Sequence, residues 1–144
     1  MEATPTLSHT AKAAAQWSPA RIYLVASGML LLLLAVAGFA INTTFPTDPS
    51  RVHPTSDHIF GILETNGWHN LAGTLSGIVA LGFATRANWS RLGALVKGVF
   101  YVAVTGAIAI WGGETFWLAS NAADQVVHAM LAVGGLTTAA VTRS

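Results

Sequence analysis

The sequence predicts an all-α integral membrane protein with four transmembrane helices. Its composition is one reason: 53% of the 144 residues are hydrophobic and 9% are charged, whereas soluble domains carry about 25% charged residues. The other reason is the pattern, because four apolar runs, each near the roughly 20 residues that cross a bilayer core, alternate with polar connections. The formal net charge of +1 offers no basic field for nucleic acid. The absence of cysteine excludes disulfides, thiolate metal sites and cysteine nucleophiles.

The first apolar run covers residues 21–41 and follows a segment of mostly small and polar residues. We interpret residues 1–20 as a cytoplasmic N-terminal tail, with a short surface helix near residues 11–17, and residues 21–144 as the transmembrane domain. A signal peptide is the alternative, because Ala35 and Ala37 form a small-residue cleavage pattern. The run exceeds the about 7–15 apolar residues of a signal peptide, so a transmembrane helix is favoured.

A polar connection over residues 42–67 follows, and its prolines predict irregular structure in the first half. Its second half, residues 57–64, mixes large apolar with polar residues. We expect this half to be a short interfacial segment in the first outer loop, lying on the membrane. The remaining apolar runs predict helices over residues 68–84, 92–111 and 122–141.

Charged residues are distributed unevenly over the connections, and basic residues favour the cytoplasmic side. One side of the predicted bundle holds Lys12, Arg21, Arg86, Arg91, Lys97 and Arg143. The other holds Arg51 and the acidic residues Asp48, Asp57, Glu64, Glu114 and Asp124. Both termini are therefore predicted to be cytoplasmic. Lys97 lies near the inner end of the third run, and we expect its stem to extend to the inner surface.

Glycines predict where the helices pack closely. Gly73 and Gly77 form a GxxxG spacing in the second run, and Gly134 and Gly135 are adjacent in the fourth. Small residues let membrane helices approach each other closely. We therefore expect these four glycines at helix–helix contacts.

A polar cluster is predicted at the outer mouth of the bundle. His69 and His128 lie at about the same depth, roughly 25 Å and 22 Å above the basic residues at the inner ends of their helices. Asp124 precedes His128 by four residues, so the two share one helical face. The side chains expected in this cluster are Glu64, Asn66, His69, Asn70, Asp124 and His128.

Three roles are open for this cluster. A structural role would tie the second and fourth helices to the outer loop through buried hydrogen bonds. A ligand role would place haem or a metal ion on His69 and His128, with Glu64 or Asp124 as further ligands. A proton-handling or substrate role is the third, although no ionisable residue is predicted near the midplane, where transporters usually bind their substrates.

Two stretches resemble a known family of small bacterial membrane proteins. "HIFGILETNGWHNLAGTLSGIVAL" resembles a segment with the run G-[IL]-[FL]-E-x-N-x-x-H-N, and "ADQVVHAMLAVGGL" resembles a later D-x-x-x-H pair. Over residues 21–142 the chain is thereby similar to the four-span family known as domain of unknown function 4383. That family often carries H-N-x-x-H, where this chain has Gly73, which weakens a multi-histidine metal site. The matching positions are Gly61, Ile62, Leu63, Glu64, Asn66, His69, Asn70, Asp124 and His128.

The resemblance implies a four-helix protein of the bacterial inner membrane with no assigned activity. The sequence contains no nucleophile elbow, no HExxH and no phosphate loop. We therefore predict a non-enzymatic accessory or structural subunit of a larger membrane complex, whose partners are lipids and other membrane subunits. The alternatives are a haem- or metal-binding protein that uses the outer-face histidines and, less favoured, a small carrier or proton-relay protein.

Overall fold

The structure is a computed structural model that describes residues 17–143, and it is mostly helical. Residues 1–16, which include most of the predicted tail and of the short helix near residues 11–17, lie outside the described part. Four long helices follow one another and confirm the predicted number of helices. They are α1 Pro19–Ile41, α2 Gly67–Ala84, α3 Ala87–Trp111 and α4 Ala122–Val141.

Three of the four helices begin at a side chain that accepts hydrogen bonds from their first amide groups. Ser18 caps α1, and Pro19 occupies the first helical position, where a missing amide hydrogen costs nothing. Asn66 caps α2. Asn121 and Asp124 form a reciprocal capping box at the start of α4. Several residues of the predicted polar cluster therefore define where α2 and α4 start.

The connection between α1 and α2, which we call the first outer connection after its predicted side, contains a β-hairpin. The fold is therefore not purely helical, although an all-α fold was predicted. Strand β1 Asp57–Ile59 pairs antiparallel with β2 Leu63–Thr65. Phe60, Gly61 and Ile62 connect the two strands, and Phe60 and Gly61 have positive φ values of 54° and 71°. The segment expected to lie on the membrane is thus a hairpin whose tip exposes Phe60 and Ile62. Strands of three residues are too short to show an alternating pattern in the sequence.

Small residues fill much of the interior, and many large apolar residues face outwards. α1 packs most extensively against α2, and α3 against α4, while α1 also contacts α3 and α4. One core cluster consists of Ala20, Leu24, Ala80, Ala84, Ala94 and Ala139. Exposed side chains on the four helices include Leu33, Ile78, Val99 and Met130. This distribution is inverted relative to a soluble domain, in which such residues are mostly buried.

Two of the described helices, α1 and α3, are long and apolar enough to cross a membrane, with mean hydropathies of 2.6 and 1.8. α2 and α4 are shorter, at 18 and 20 residues, and each has polar residues in its first turn. Those polar residues lower the average hydropathy of α2 and α4. They also concentrate hydrogen-bonding groups at one end of the bundle.

The four glycines expected at helix contacts differ in how tightly they are packed. A Cβ added to Gly135 would lie 2.7 Å from a backbone carbonyl oxygen of α3, and one added to Gly77 would lie 2.8 Å from a leucine of α1. A Cβ on Gly134 would meet a tyrosine ring of α1 at 2.9 Å, whereas one on Gly73 would have 3.8 Å of clearance. Gly135 is the most constrained of the four, because all three atoms nearest to its added Cβ are backbone atoms of α3, which cannot move aside as a side chain can.

Candidate functional site

Asp124 connects the first turn of α4 to the hairpin. Its Oδ2 atom accepts hydrogen bonds from the amide of Asn121 at 2.9 Å and from the amide of Glu64 in β2 at 3.1 Å. The Asn121 side chain adds a second connection, since its Nδ2 donates to the carbonyl of Ile62 at 2.8 Å. The buried carboxylate therefore bonds to backbone amides and not to the histidine four residues further on.

Glu64 is buried, with 6% of its surface exposed, and its carboxylate bonds to two side chains from the earlier part of the first outer connection. Oε1 accepts hydrogen bonds from Ser56 Oγ and from Nδ1 of His53, the latter at 2.7 Å. Nε2 of His53 lies 3.5 Å from Oε2 of Glu114 in the second outer connection. Chiefly because of the hydrogen bond to Glu64, the pKa of His53 is raised above its ordinary 6.5. A protonated His53 thus joins the two outer connections.

Asn66 and His69 join the start of α2 to the second outer connection. Asn66 caps α2 through Oδ1, and its Nδ2 donates to the carbonyl of Trp117 at 2.9 Å. Nδ1 of His69 lies 2.6 Å from the carbonyl oxygen of Ala119. A carbonyl only accepts hydrogen bonds, so Nδ1 carries the proton. In a neutral His69 ring, Nε2 is then the nitrogen that can accept a hydrogen bond or bind a metal ion.

Asn70 joins the same turn of α2 to the end of α1. Its Oδ1 accepts a hydrogen bond from Thr65 Oγ1 at 2.5 Å, and its Nδ2 donates to the carbonyl of Asn42 at 3.0 Å. This contact requires glycine at position 38, because a Cβ on Gly38 would overlap the Asn70 amide. Asn70 therefore acts as a fastener between two helices and the hairpin.

His128 is the least satisfied member of the cluster. Its ring is buried, and Nδ1 has no hydrogen-bond partner among the residues that the structure describes. The ring centroid lies 6.0 Å from that of His69 and 5.5 Å from that of Tyr101. The two histidines that the sequence placed at one depth are thus neighbours, and Asp124 bonds to neither of them.

A cavity of about 80 Å³ lies between the histidines and the apolar interior. Its polar wall includes His69, Asn70, Asp124 and His128. The volume suits a few water molecules and is well below the roughly 300–1,000 Å³ of pockets that hold organic ligands, so a haem does not fit. No three His, Asp or Glu side chains converge on a possible metal position within residues 17–143.

The comparison with protein families identifies the chain. A family model described as Domain of unknown function (DUF4383) matches residues 13–141. The chain belongs to the DUF4383 family. No curated protein and no solved structure matches it. The resemblance found in the two sequence motifs is therefore confirmed, and those motifs supply the side chains that connect the starts of α2 and α4 to the neighbouring loops.

Sequence reasoning missed His53, although the ring of this residue lies between the carboxylates of Glu64 and Glu114 and so links the two connections. His53 stands in a proline-containing segment eleven residues before Glu64. No helical or strand spacing relates the two positions, and only the fold of the short 3-10 turns brings them together. The one available indication was that the connection contains both a histidine and a carboxylate.

The interpretation of Lys97 as a surface-reaching side chain is wrong. α3 begins at Ala87, five positions before the predicted residue 92, so Lys97 lies about 15 Å along the helix at 1.5 Å per residue. Its side chain is 6% exposed. Nζ lies 5.5 Å from the ring centroid of Tyr101, which is one turn further from the predicted inner end. The expectation that no ionisable residue lies deep in the bundle therefore fails as well.

Proposed function

We propose that this chain is a multi-pass protein of the bacterial inner membrane, with four transmembrane helices and both termini in the cytoplasm. The inverted distribution of side chains supports this placement, because lipid would cover the large apolar residues that a soluble bundle would bury. α2 and α4 carry such residues as well as α1 and α3: Ile78, Val79, Met130 and Val133 are exposed. The bundle end with Arg21, Arg86 and Arg143 would face the cytoplasm.

Cysteine labelling tests this topology cleanly, because the chain contains no cysteine of its own. Thr47→Cys lies in the first outer connection, and Asn88→Cys lies at the opposite end of the bundle; both positions are exposed. In intact spheroplasts we expect a membrane-impermeant maleimide to label Thr47→Cys, and to label Asn88→Cys only after lysis. Equal labelling of both variants before lysis would contradict the proposed orientation.

Within this membrane, the proposed role is that of a non-enzymatic accessory or structural subunit. One observation supports this role. Two turns beside the cluster, one at the hairpin tip and one in the second outer connection, expose aromatic residues whose backbone is strained. Phe60, Phe116 and Trp117 have positive φ values of 54°, 57° and 59° and are exposed. A positive φ is an outlier for a bulky residue, costs about 1–3 kcal/mol, and persists only where the surroundings enforce it.

Asn66 of the cluster and the neighbouring Asn121 hold these two turns. Asn66 donates to the carbonyl of Trp117, and Asn121 donates to the carbonyl of Ile62 beside the hairpin tip. The polar groups are therefore used to present rigid aromatic side chains at the outer face, which is a property of a docking surface. The proposed occupant is another integral membrane subunit that covers the outer ends of the helices.

A photoreactive side chain tests this role directly. Benzoylphenylalanine at Phe116 is compared with the same residue at Val133, which is exposed on the side of α4. In the native host, we expect a defined protein adduct from position 116 and lipid adducts from position 133. Native mass spectrometry in gentle detergent should show a large assembly. A chain that travels alone and gives lipid adducts at both positions would overturn the subunit proposal.

A further inference from the structure

A cleft between α2 and α3 has one polar group that the rest of the molecule does not use. Nζ of Lys97 is buried and has no hydrogen-bond partner among the residues described, and none of the ion pairs within residues 17–143 involves it. Nζ lies 5.5 Å from the centroid of the Tyr101 ring, within the range of a cation–π contact. A buried ammonium without a counter-ion is strongly unfavourable, so Lys97 either stays a neutral amine or takes a counter-ion from outside the chain.

The cleft that Lys97 lines has a volume of about 360 Å³. Its walls are apolar side chains and include Leu75, Val79, Val96 and Phe100, all of which are also exposed on the outside of the bundle. The cleft therefore opens sideways, towards the lipid of the proposed membrane. A ligand that enters here must be apolar over most of its length.

Among the described residues that line the cleft, Ser76 has the one other polar side chain, and its hydroxyl already has a partner. The hydroxyl of Ser76 lies 3.0 Å from the hydroxyl of Tyr101, within hydrogen-bond distance. Lys97 is therefore the group that would select the head of the ligand. A ligand with an apolar chain alone would fill the cleft but leave the Lys97 amine without a partner. A ligand that also has an acidic head would fill the cleft and pair with the amine.

We propose that this cleft binds a long-chain carboxylic acid from the bilayer, with Lys97 as the counter-ion of its carboxylate; the inference rests on the proposed membrane location. Lys97 lies about 15 Å along α3 from its first residue, deeper than a phospholipid phosphate anchored at the surface. A fatty acid crosses this depth in its neutral form. It can then transfer its proton to a neutral lysine amine, which leaves a carboxylate paired with an ammonium.

The experiment measures binding of palmitate to the full chain in phosphatidylcholine nanodiscs, with hexadecanol as the ligand that has the same chain and no acid. We expect palmitate to bind the wild-type protein at least tenfold more tightly than hexadecanol. Lys97→Met, which keeps the length of the side chain, should lose that preference. Arg86→Gln is the matched control: it removes an exposed cation at the inner end of the bundle and should retain the preference.

Equal binding of palmitate and hexadecanol to the wild-type protein would overturn the proposal, and so would an unchanged preference in Lys97→Met. If Lys97→Met does not fold, Val79→Trp obstructs the cleft and leaves the lysine in place; it should abolish palmitate binding, and retained binding would overturn the proposal. The cysteine labelling described above reports independently whether the membrane topology is correct, so the two proposals can fail separately.

Discussion

Glu64 and Lys97 are buried to the same extent, with 6% of each residue exposed, yet their surroundings are opposite. The Glu64 carboxylate accepts hydrogen bonds from His53 and Ser56, and its backbone amide is held by Asp124. Nζ of Lys97 has no such partner within the described residues. Equal burial therefore accompanies two different roles. The paired carboxylate fastens the fold, and the unpaired amine is the contact that we propose for a ligand.

The difference follows from where each residue lies along the chain. Glu64 belongs to a short strand beside irregular connections, where free backbone and side-chain donors are plentiful. Lys97 lies within α3, where the backbone amides and carbonyls already bond to one another, and no backbone carbonyl of the described residues accepts a hydrogen bond from its Nζ. A polar residue inside a membrane helix must find its partner on another helix or in a ligand.

Asp124→Ala gives the largest expected effect at the paired end. It removes the acceptor of two backbone amides, those of Asn121 and Glu64, and each unsatisfied buried group costs about 1–3 kcal/mol. We expect the free energy of unfolding to fall by about 2–5 kcal/mol, measured by thermal unfolding in detergent. Asp48→Ala is the control, because Asp48 is exposed and bonds only to Ser50; it should change little. Equal effects of both variants would show that the outer cluster is not a fastener.

Gly135→Ala tests whether the interior around Lys97 is rigid. The added Cβ would lie 2.7 Å from the carbonyl oxygen of Ala94 and 2.8 Å from Cα of Gly98, both backbone atoms of α3. We expect a loss of about 1–3 kcal/mol from overpacking, measured in the same assay. Gly106→Ala is the matched control: it lies in the same helix as Lys97, nothing lies within 4 Å of its added Cβ, and alanine should stabilise the helix by about 0.5–1 kcal/mol. A neutral Gly135→Ala would show that α3 and α4 separate easily, and that the burial of Lys97 is not enforced.

Lys97→Met should change stability in the opposite direction from Glu64→Met. Methionine removes an unpaired buried amine and keeps the apolar stem, so we expect the free energy of unfolding to rise by about 1–2 kcal/mol. Glu64→Met leaves His53 Nδ1 and Ser56 Oγ without their acceptor, so it should lower the free energy of unfolding. The measurement uses protein freed of bound lipid, because a bound acid would itself stabilise the wild type. If both variants are destabilised, Lys97 has a structural partner and the contrast with Glu64 is wrong.

The sequence predicted the helices well and the connections poorly, for physical reasons that particular residues illustrate. The apolar runs placed α2 and α4 almost to the residue, and the structure shows that Asn66 and Asn121 cap these two helices. The start of α3 was placed five residues too late, because Asn88, Ser90 and Arg91 interrupt the apolar pattern of its first turns. That error placed Lys97 near the surface, whereas it lies in the interior. The cluster members could be named because they share helix ends. The hydrogen bond between His53 and Glu64 could not be predicted, because it depends on turns that carry no periodic sequence pattern.

The pH dependence of His53 is the smallest expected effect and tests the paired end most selectively. The hydrogen bond to Glu64, assisted by Glu114, raises the pKa of His53 above 6.5 in the folded protein. Its contribution to stability is therefore fully present below about pH 6.5, the unfolded value, and is lost as the pH rises through the folded-state pKa. Because the His53 side chain is 46% exposed, we expect this contribution to stability to be less than about 1 kcal/mol.

The difference in Tm between the wild type and His53→Gln should shrink between pH 5.5 and pH 8.5. Ser56→Ala is the control, because it removes the other hydrogen bond to the same Glu64 oxygen and involves no titrating group. Its difference in Tm from the wild type should therefore stay constant over this pH range. If the difference for His53→Gln also stayed constant, the protonated ring would not join the outer connections.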